Sequence, residues 1–215
     1  MRRLATLAVL ALAAYAPLAT AVDRNAAAPV PKGAYQIDKS HTSLLFRVSH
    51  IGFSSYTGRF TRLEAKLDFD PARIAASRVD VTIDPRSIEA DNAPSGFLET
   101  LAGKDWLDAE HFPSMEFRSK TIEVTGTNSF RIKGDLTLHG VTKPIVLDAR
   151  YNGGYASHPY EPRARIGFSA TGKFKRSDFG VSYGIPEPGT TMGVGDEVQV
   201  VLETEFSGPP VAAAN

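Results

Sequence analysis

The chain has 215 residues, enough for one well-buried domain or two small ones, and its 24 basic side chains balance 24 acidic ones. That balance gives no electrostatic footprint for nucleic acid or for an acidic membrane surface. The lack of cysteine excludes a disulfide framework, a thiolate metal site, a cysteine nucleophile and a lipid-modified amino-terminal cysteine.

The chain opens with MRRLATLAVLALAAYAPLATA, in which Arg2 and Arg3 precede an apolar run that ends in Ala19-Thr20-Ala21. This is the pattern of a secretory signal peptide, expected over 1–21 with cleavage after Ala21, and it directs the mature protein to the periplasm. A membrane anchor is the rival reading. The uncharged run from Leu4 to Val22 is rich in alanine and interrupted by Pro17, whereas a span needs roughly 20 apolar residues. The segment 22–33, VDRNAAAPVPKG, reads as a flexible leader, and 207–215, SGPPVAAAN, as a matching tail.

Between them, over 34–206, the pattern is almost wholly two-periodic. Leu44, Phe46 and Val48 share a face, as do Leu63, Ala65, Leu67 and Phe69, then Val79, Val81 and Ile83. Further along, Phe130, Ile132, Leu136 and Leu138 alternate, followed by Ile166, Phe168, Ala170 and Phe174, and by Val198, Val200, Leu202, Thr204 and Phe206. One apolar and one polar face per segment is the signature of antiparallel strands wetted on one side. With the segments near 34–38, 114–124 and 141–151, eight or nine strands are predicted, which must pair as two sheets or close into a barrel. The stretch 91–113 breaks the pattern. Phe97, Leu98 and Leu101 fall at helical spacing, with Asn92 and Ser95 as caps and Gly103 as a stop, which predicts a short helix over a barrel end.

The segment GDLTLHGVTKPIVLD (134–148) predicts a hairpin with His139 and Gly140 as a two-residue loop. Leu138 then faces Val141, Gly134 faces Ile145, Ile132 faces Leu147 and Phe130 faces Ala149, so both strands place their apolar residues on one face. Such turns are usually of the type that needs positive φ at both loop positions, a region in which histidine is enriched among non-glycine residues. His139 is therefore read as a turn residue.

Catalytic and metal signatures are weak. His41 and His50 are an odd number of residues apart and point to opposite faces of a regular strand, while His111 and His158 fall in loops. No G-x-S-x-G elbow occurs, Asp68 with Asp70 and Asp108 with Glu110 read as solvated pairs, and PGTTMGVGDE (188–197) lacks the lysine of a phosphate loop. What stands out is the aromatic content. A barrel of about eight strands either packs solid or holds one small ligand, and the pattern alone leaves both open.

Taken together, YQIDKSHTSLLFRVSHIGFSSYTGRF (35–60), FPSMEFRSK (112–120), GDLTLHGVTKPIVL (134–147), RSDFGVSYG (176–184) and VGDEVQVVLETE closing the domain resemble the YceI-like family of periplasmic lipid- and polyisoprenoid-binding proteins. The resemblance implies an all-β fold, an antiparallel eight-stranded lipocalin-like barrel with a short helical insertion, and a non-enzymatic carrier of a long isoprenoid or similar amphiphile. The insertion reads APSGFLETLAGKDWLD where many members carry Arg-Asp-x-His-Leu. This points toward a quinone, polyprenol or fatty tail as ligand, and toward a bilayer or a b-type membrane cytochrome as partner, with a dimer as a further expectation. On this reading no cofactor or metal is needed, and Leu44, Phe46, Val48, Phe53, Phe60, Phe97, Leu101, Trp106, Phe117, Phe168, Phe174 and Phe179 line the pore. Two alternatives stand beside it: a solidly packed interaction or stress module, and an enzyme using His41 or His50.

Overall fold

Each strongly alternating segment forms a strand in the computed structural model, which describes residues 30–158 and 160–210. In chain order these are β1 (Gly33–His50), β2 (Ser54–Phe60), β3 (Leu63–Phe69), β4 (Arg78–Ile83), β5 (Ile88–Glu89), the helix α1 (Phe97–Ala102), β6 (Met115–Gly126), β7 (Ser129–Leu138), β8 (Val141–Tyr155), β9 (Arg163–Lys175) and β10 (Val194–Pro210). The expected signal peptide and the first part of the leader lie outside the described residues.

All pairings are antiparallel, in the order β10-β9-β8-β7-β6-β4-β3-β1, and β1 returns to β10. Eight strands thus close a barrel, which removes the free edges an open sheet would present. Strand β1 belongs to two neighbourhoods. Gly33–Gln36 pair with β3, whereas Leu44–His50 pair with β2, which in turn carries β5. The two extra strands account for ten where eight or nine were expected, and they widen the barrel at one end.

The hairpin forms in the predicted register, from Leu138 opposite Val141 to Phe130 opposite Ala149. His139 and Gly140 have φ of 51° and 73°, as the two-residue turn requires. The His139 ring packs 4.7 Å from that of Phe112.

Three expectations change. The barrel does not end at Phe206: β10 runs on through Pro210, with Ser207 opposite Arg165 and Pro210 opposite Arg163 across a register shift. Gly208 makes this possible, because its missing side chain leaves room for the ring of the fully buried Tyr35. The end of the expected leader is also part of the core, with Val30 buried and the Tyr35 hydroxyl donating to Pro31 O at 2.7 Å. Helix α1 is not capped by Asn92 or Ser95; Gly96, at φ 79°, takes the N-cap position.

A candidate ligand chamber

The interior of the barrel is divided by its own side chains. Toward the end widened by β2 and β5 lies a cavity of about 410 Å³, above the roughly 300 Å³ at which ligand pockets begin. Its wall is built from inward positions of β1 (Phe46, Val48), β2 (Tyr56, Phe60), β10 (Val198, Val200) and β9 (Phe174), roofed by Phe97 and Leu101 of α1 and by Trp106. A second cavity of about 100 Å³ fills the other half, among Leu67, Phe69, Phe117, Phe130, Phe168 and Phe206.

Between the two lies a tier of packed aliphatic side chains. Leu44, Ile83 and Leu136 belong to the core cluster that also contains Met115 and Leu138 from the large chamber and Leu63, Phe117 and Leu147 from the small one. The change of chamber occurs along single strands: on β6 Met115 borders the large cavity and Phe117 the small, as do Val200 and Leu202 on β10, four strands away. Inward glycines shape the tier. Phe46 lies over Gly58, Phe117 over Gly134 and Leu147 over Gly172; a β-carbon at Gly58 would run into the Phe46 ring, and at Gly134 and Gly172 it would meet the large side chain at 2.6 Å and 2.5 Å.

The sequence-predicted pore residues divide accordingly. Phe46, Val48, Phe60, Phe97, Leu101, Trp106 and Phe174 border the large chamber, and Phe117 and Phe168 the small one. Leu44 sits in the tier between them. Phe179 is buried in the wall behind Phe174, with ring centroids 5.4 Å apart. Phe53 is misplaced by the sequence reading: it is 82% exposed in the β1–β2 turn, where Ile51 and Gly52 adopt positive φ and the Phe53 amide donates to His50 O. That turn meets the loop before β10, through Ile51 N–H donating to Gly193 O at 2.8 Å. The same loop leaves Tyr183 and Met192 exposed.

Polar groups are few in the large chamber, and sequence reasoning missed two of them. Arg176 is 4% exposed, and its guanidinium lies 5.1 Å from the Trp106 ring. Its Nε donates to Gly195 O, Nη1 to Val181 O and Tyr183 O, and Nη2 to Val194 O. Burial lowers its pKa, and Asp196 offsets part of that. Tyr56 places its ring against Phe97, with centroids 5.8 Å apart; its hydroxyl is buried with no partner among the described residues, and burial raises its pKa. His50 is exposed and borders the chamber, which marks that end as the mouth.

His41 stands elsewhere, on the outer face beside Asp38, opposite in facing to His50 as their odd separation implies, even though a register shift lies between Asp38 and Ser43. Asp38, His41 and Glu205 bring ligand atoms within 4.8 Å of one another. A guanidinium already occupies that cluster: Arg165 Nη1 donates to Asp38 and, at 2.9 Å, to Glu205. Arg165 holds Asp38 far below the usual carboxylate range. The arrangement ties β1, β9 and β10 together on the outer face.

Comparison with known proteins agrees with this architecture. The model of the YceI-like domain matches residues 35–206. A UPF0312 protein from Vibrio cholerae is 35% identical over 173 residues, which is 80% of this chain and 85% of that protein. Among solved structures, Burkholderia cenocepacia BcnA superposes with a TM-score of 0.67 at 27% identity, covering 79% of this chain and 98% of that one. A polyisoprenoid binding domain from Saccharophagus degradans superposes at 0.58 with 16% identity, over 83% of this chain and all of that chain (100%), a likeness of fold.

Proposed function

Since the chain belongs to the YceI-like family, we propose that it is a periplasmic carrier of a long-chain isoprenoid or similar amphiphile, held in the large chamber and released without chemical change. The observation that carries this reading is a 410 Å³ cavity walled by apolar side chains inside a closed barrel. The description of the Saccharophagus degradans domain as polyisoprenoid binding supports the same ligand class.

The chemistry suits a tail. Each methylene moved from water into an apolar wall contributes about 0.8 kcal/mol, so about ten carbons supply on the order of 8 kcal/mol, near micromolar affinity before ordering costs. Few polar contacts are then needed. His41 lies outside the chamber, and His50 has no carboxylate partner among the described residues. The apolar wall thus favours binding over turnover.

Loading requires the mouth to meet a lipid surface or a membrane protein such as a b-type cytochrome. Phe53, Tyr183 and Met192 supply exposed apolar side chains on the bordering loops. The reading is tested by purifying the mature protein from its native compartment, extracting it with organic solvent and analysing the extract by mass spectrometry. Recovery of a stoichiometric prenyl or fatty amphiphile is expected. A clean extract, with no quenching of Trp106 by added quinones or polyprenols, would refute the reading, and an uncleaved or cytoplasmic protein would refute the compartment.

A further inference from the structure

We propose that the mouth tier of the large chamber, between Arg176 and Tyr56, is a head-group seat for an amphiphile whose polar end is a singly charged or neutral hydrogen-bond acceptor: a carboxylate or a quinone-type carbonyl. This rests on the carrier reading and specifies the ligand's other end.

Two independent features meet there. Arg176 is a buried cation whose hydrogen-bond partners among the described residues are all backbone carbonyls, with Asp196 acting on it only as a nearby charge. Four of its five N–H groups are taken by backbone carbonyls, which leaves one on Nη2. Tyr56 carries a buried hydroxyl that has no partner among the described residues, a condition native interiors seldom leave unmet. Both residues border the same cavity. They also share its depth: Tyr56, Val48, Val198 and Phe174 are lateral partners across β2, β1, β10 and β9, and Arg176 follows Phe174 by two residues.

The same inventory limits the charge of the head. Among the described residues Arg176 is the only Lys or Arg side chain in the wall of the chamber, so a pyrophosphate would bring more negative charge than one partly screened guanidinium can neutralise among apolar side chains. A single carboxylate completes the charge balance, and a carbonyl accepts from the free N–H or from Tyr56. In either case the tail points away from the mouth toward Leu138 and Met115.

The test uses the mature protein and displacement of the apolar dye N-phenyl-1-naphthylamine by four probes: farnesane, farnesoic acid, farnesyl pyrophosphate and a benzoquinone with a three-unit prenyl tail. Tyr56→Phe is expected to weaken the acid, the quinone or both by about fivefold while farnesane stays within about twofold, the loss expected for one hydrogen bond. Arg176→Gln, if it folds, separates the sources: a selective loss of the acid identifies a carboxylate head, and a selective loss of the quinone a carbonyl head. Unchanged affinity of both oxygenated probes in Tyr56→Phe, or tighter binding of the pyrophosphate than of the acid, would overturn the seat. Failure of all four probes to displace the dye would overturn the carrier reading instead.

Discussion

Gly58 stands directly across the β1–β2 ladder from Phe46, and the Phe46 ring rests in the space that a β-carbon at Gly58 would fill. The ring occupies this space because its neighbour has no side chain, so the width of the large chamber depends on a residue that is not itself in its lining. Gly58→Val is expected to tip Phe46 into the lumen and to weaken binding of a prenyl quinone by tenfold or more, with the far-ultraviolet circular dichroism of the barrel unchanged. Quenching of Trp106, the chain's single tryptophan, provides the titration.

The β7–β8 turn separates a conformational role from a chemical one. Gly140 combines φ of 73° with a β-carbon position inside the envelope of the Phe112 ring. Gly140→Val is therefore expected to cost about 2 kcal/mol or more in urea unfolding. His139→Asn keeps a residue that tolerates positive φ and loses only the ring contact with Phe112, so a loss of about 1 kcal/mol or less is expected. Lipid binding should be the same in the Asn variant as in the parent.

Much of this was legible in the sequence. The hairpin register followed from a period of two and a two-residue turn, because a slip of one residue would have turned every apolar side chain on one strand to water. The same period placed Phe46, Val48 and Phe174 on the inner wall. It said nothing of Phe53, whose aromaticity resembled theirs; the signal was the adjacent Gly52, which marks a turn. Nor could it find the strand through Pro209 and Pro210, since proline ordinarily ends a ladder and only the packing of Tyr35 over Gly208 reveals why this one continues. Arg176 was hidden for the opposite reason. A charged residue in RSDFG reads as surface until the carbonyls of Val181, Tyr183, Val194 and Gly195 are brought around it.

Acid stability should depend on Asp38. Its carboxylate receives hydrogen bonds from Arg165, His41 and Ser40, and Arg165 is the main reason that its pKa is depressed. A carboxylate with a depressed folded-state pKa contributes stability that is complete above its unfolded value, near pH 4, and is lost as pH falls below it. The urea midpoint of the parent is expected to fall on acidification from about pH 4 to about pH 2. Asp38→Asn should start lower at neutral pH and show a flatter acid limb.

The exposed loops beside the mouth predict a kinetic phenotype. Phe53 is 82% exposed and does not border the chamber, so Phe53→Ser should leave equilibrium affinity within about twofold. Transfer of a prenyl quinone from lipid vesicles, followed in real time by Trp106 quenching, should slow several-fold. An unchanged transfer rate would remove Phe53 from the docking surface.

The aliphatic tier formed around Leu44, Ile83 and Leu136 makes time, rather than affinity alone, a property of tail length. A short tail ends in the large chamber and can leave by the route it entered. A longer one reaches the second cavity only by parting side chains that are otherwise in contact, and must part them again on departure. Cargo of different lengths would then exchange on different clocks, the longest being retained through encounters that strip the shorter ones away.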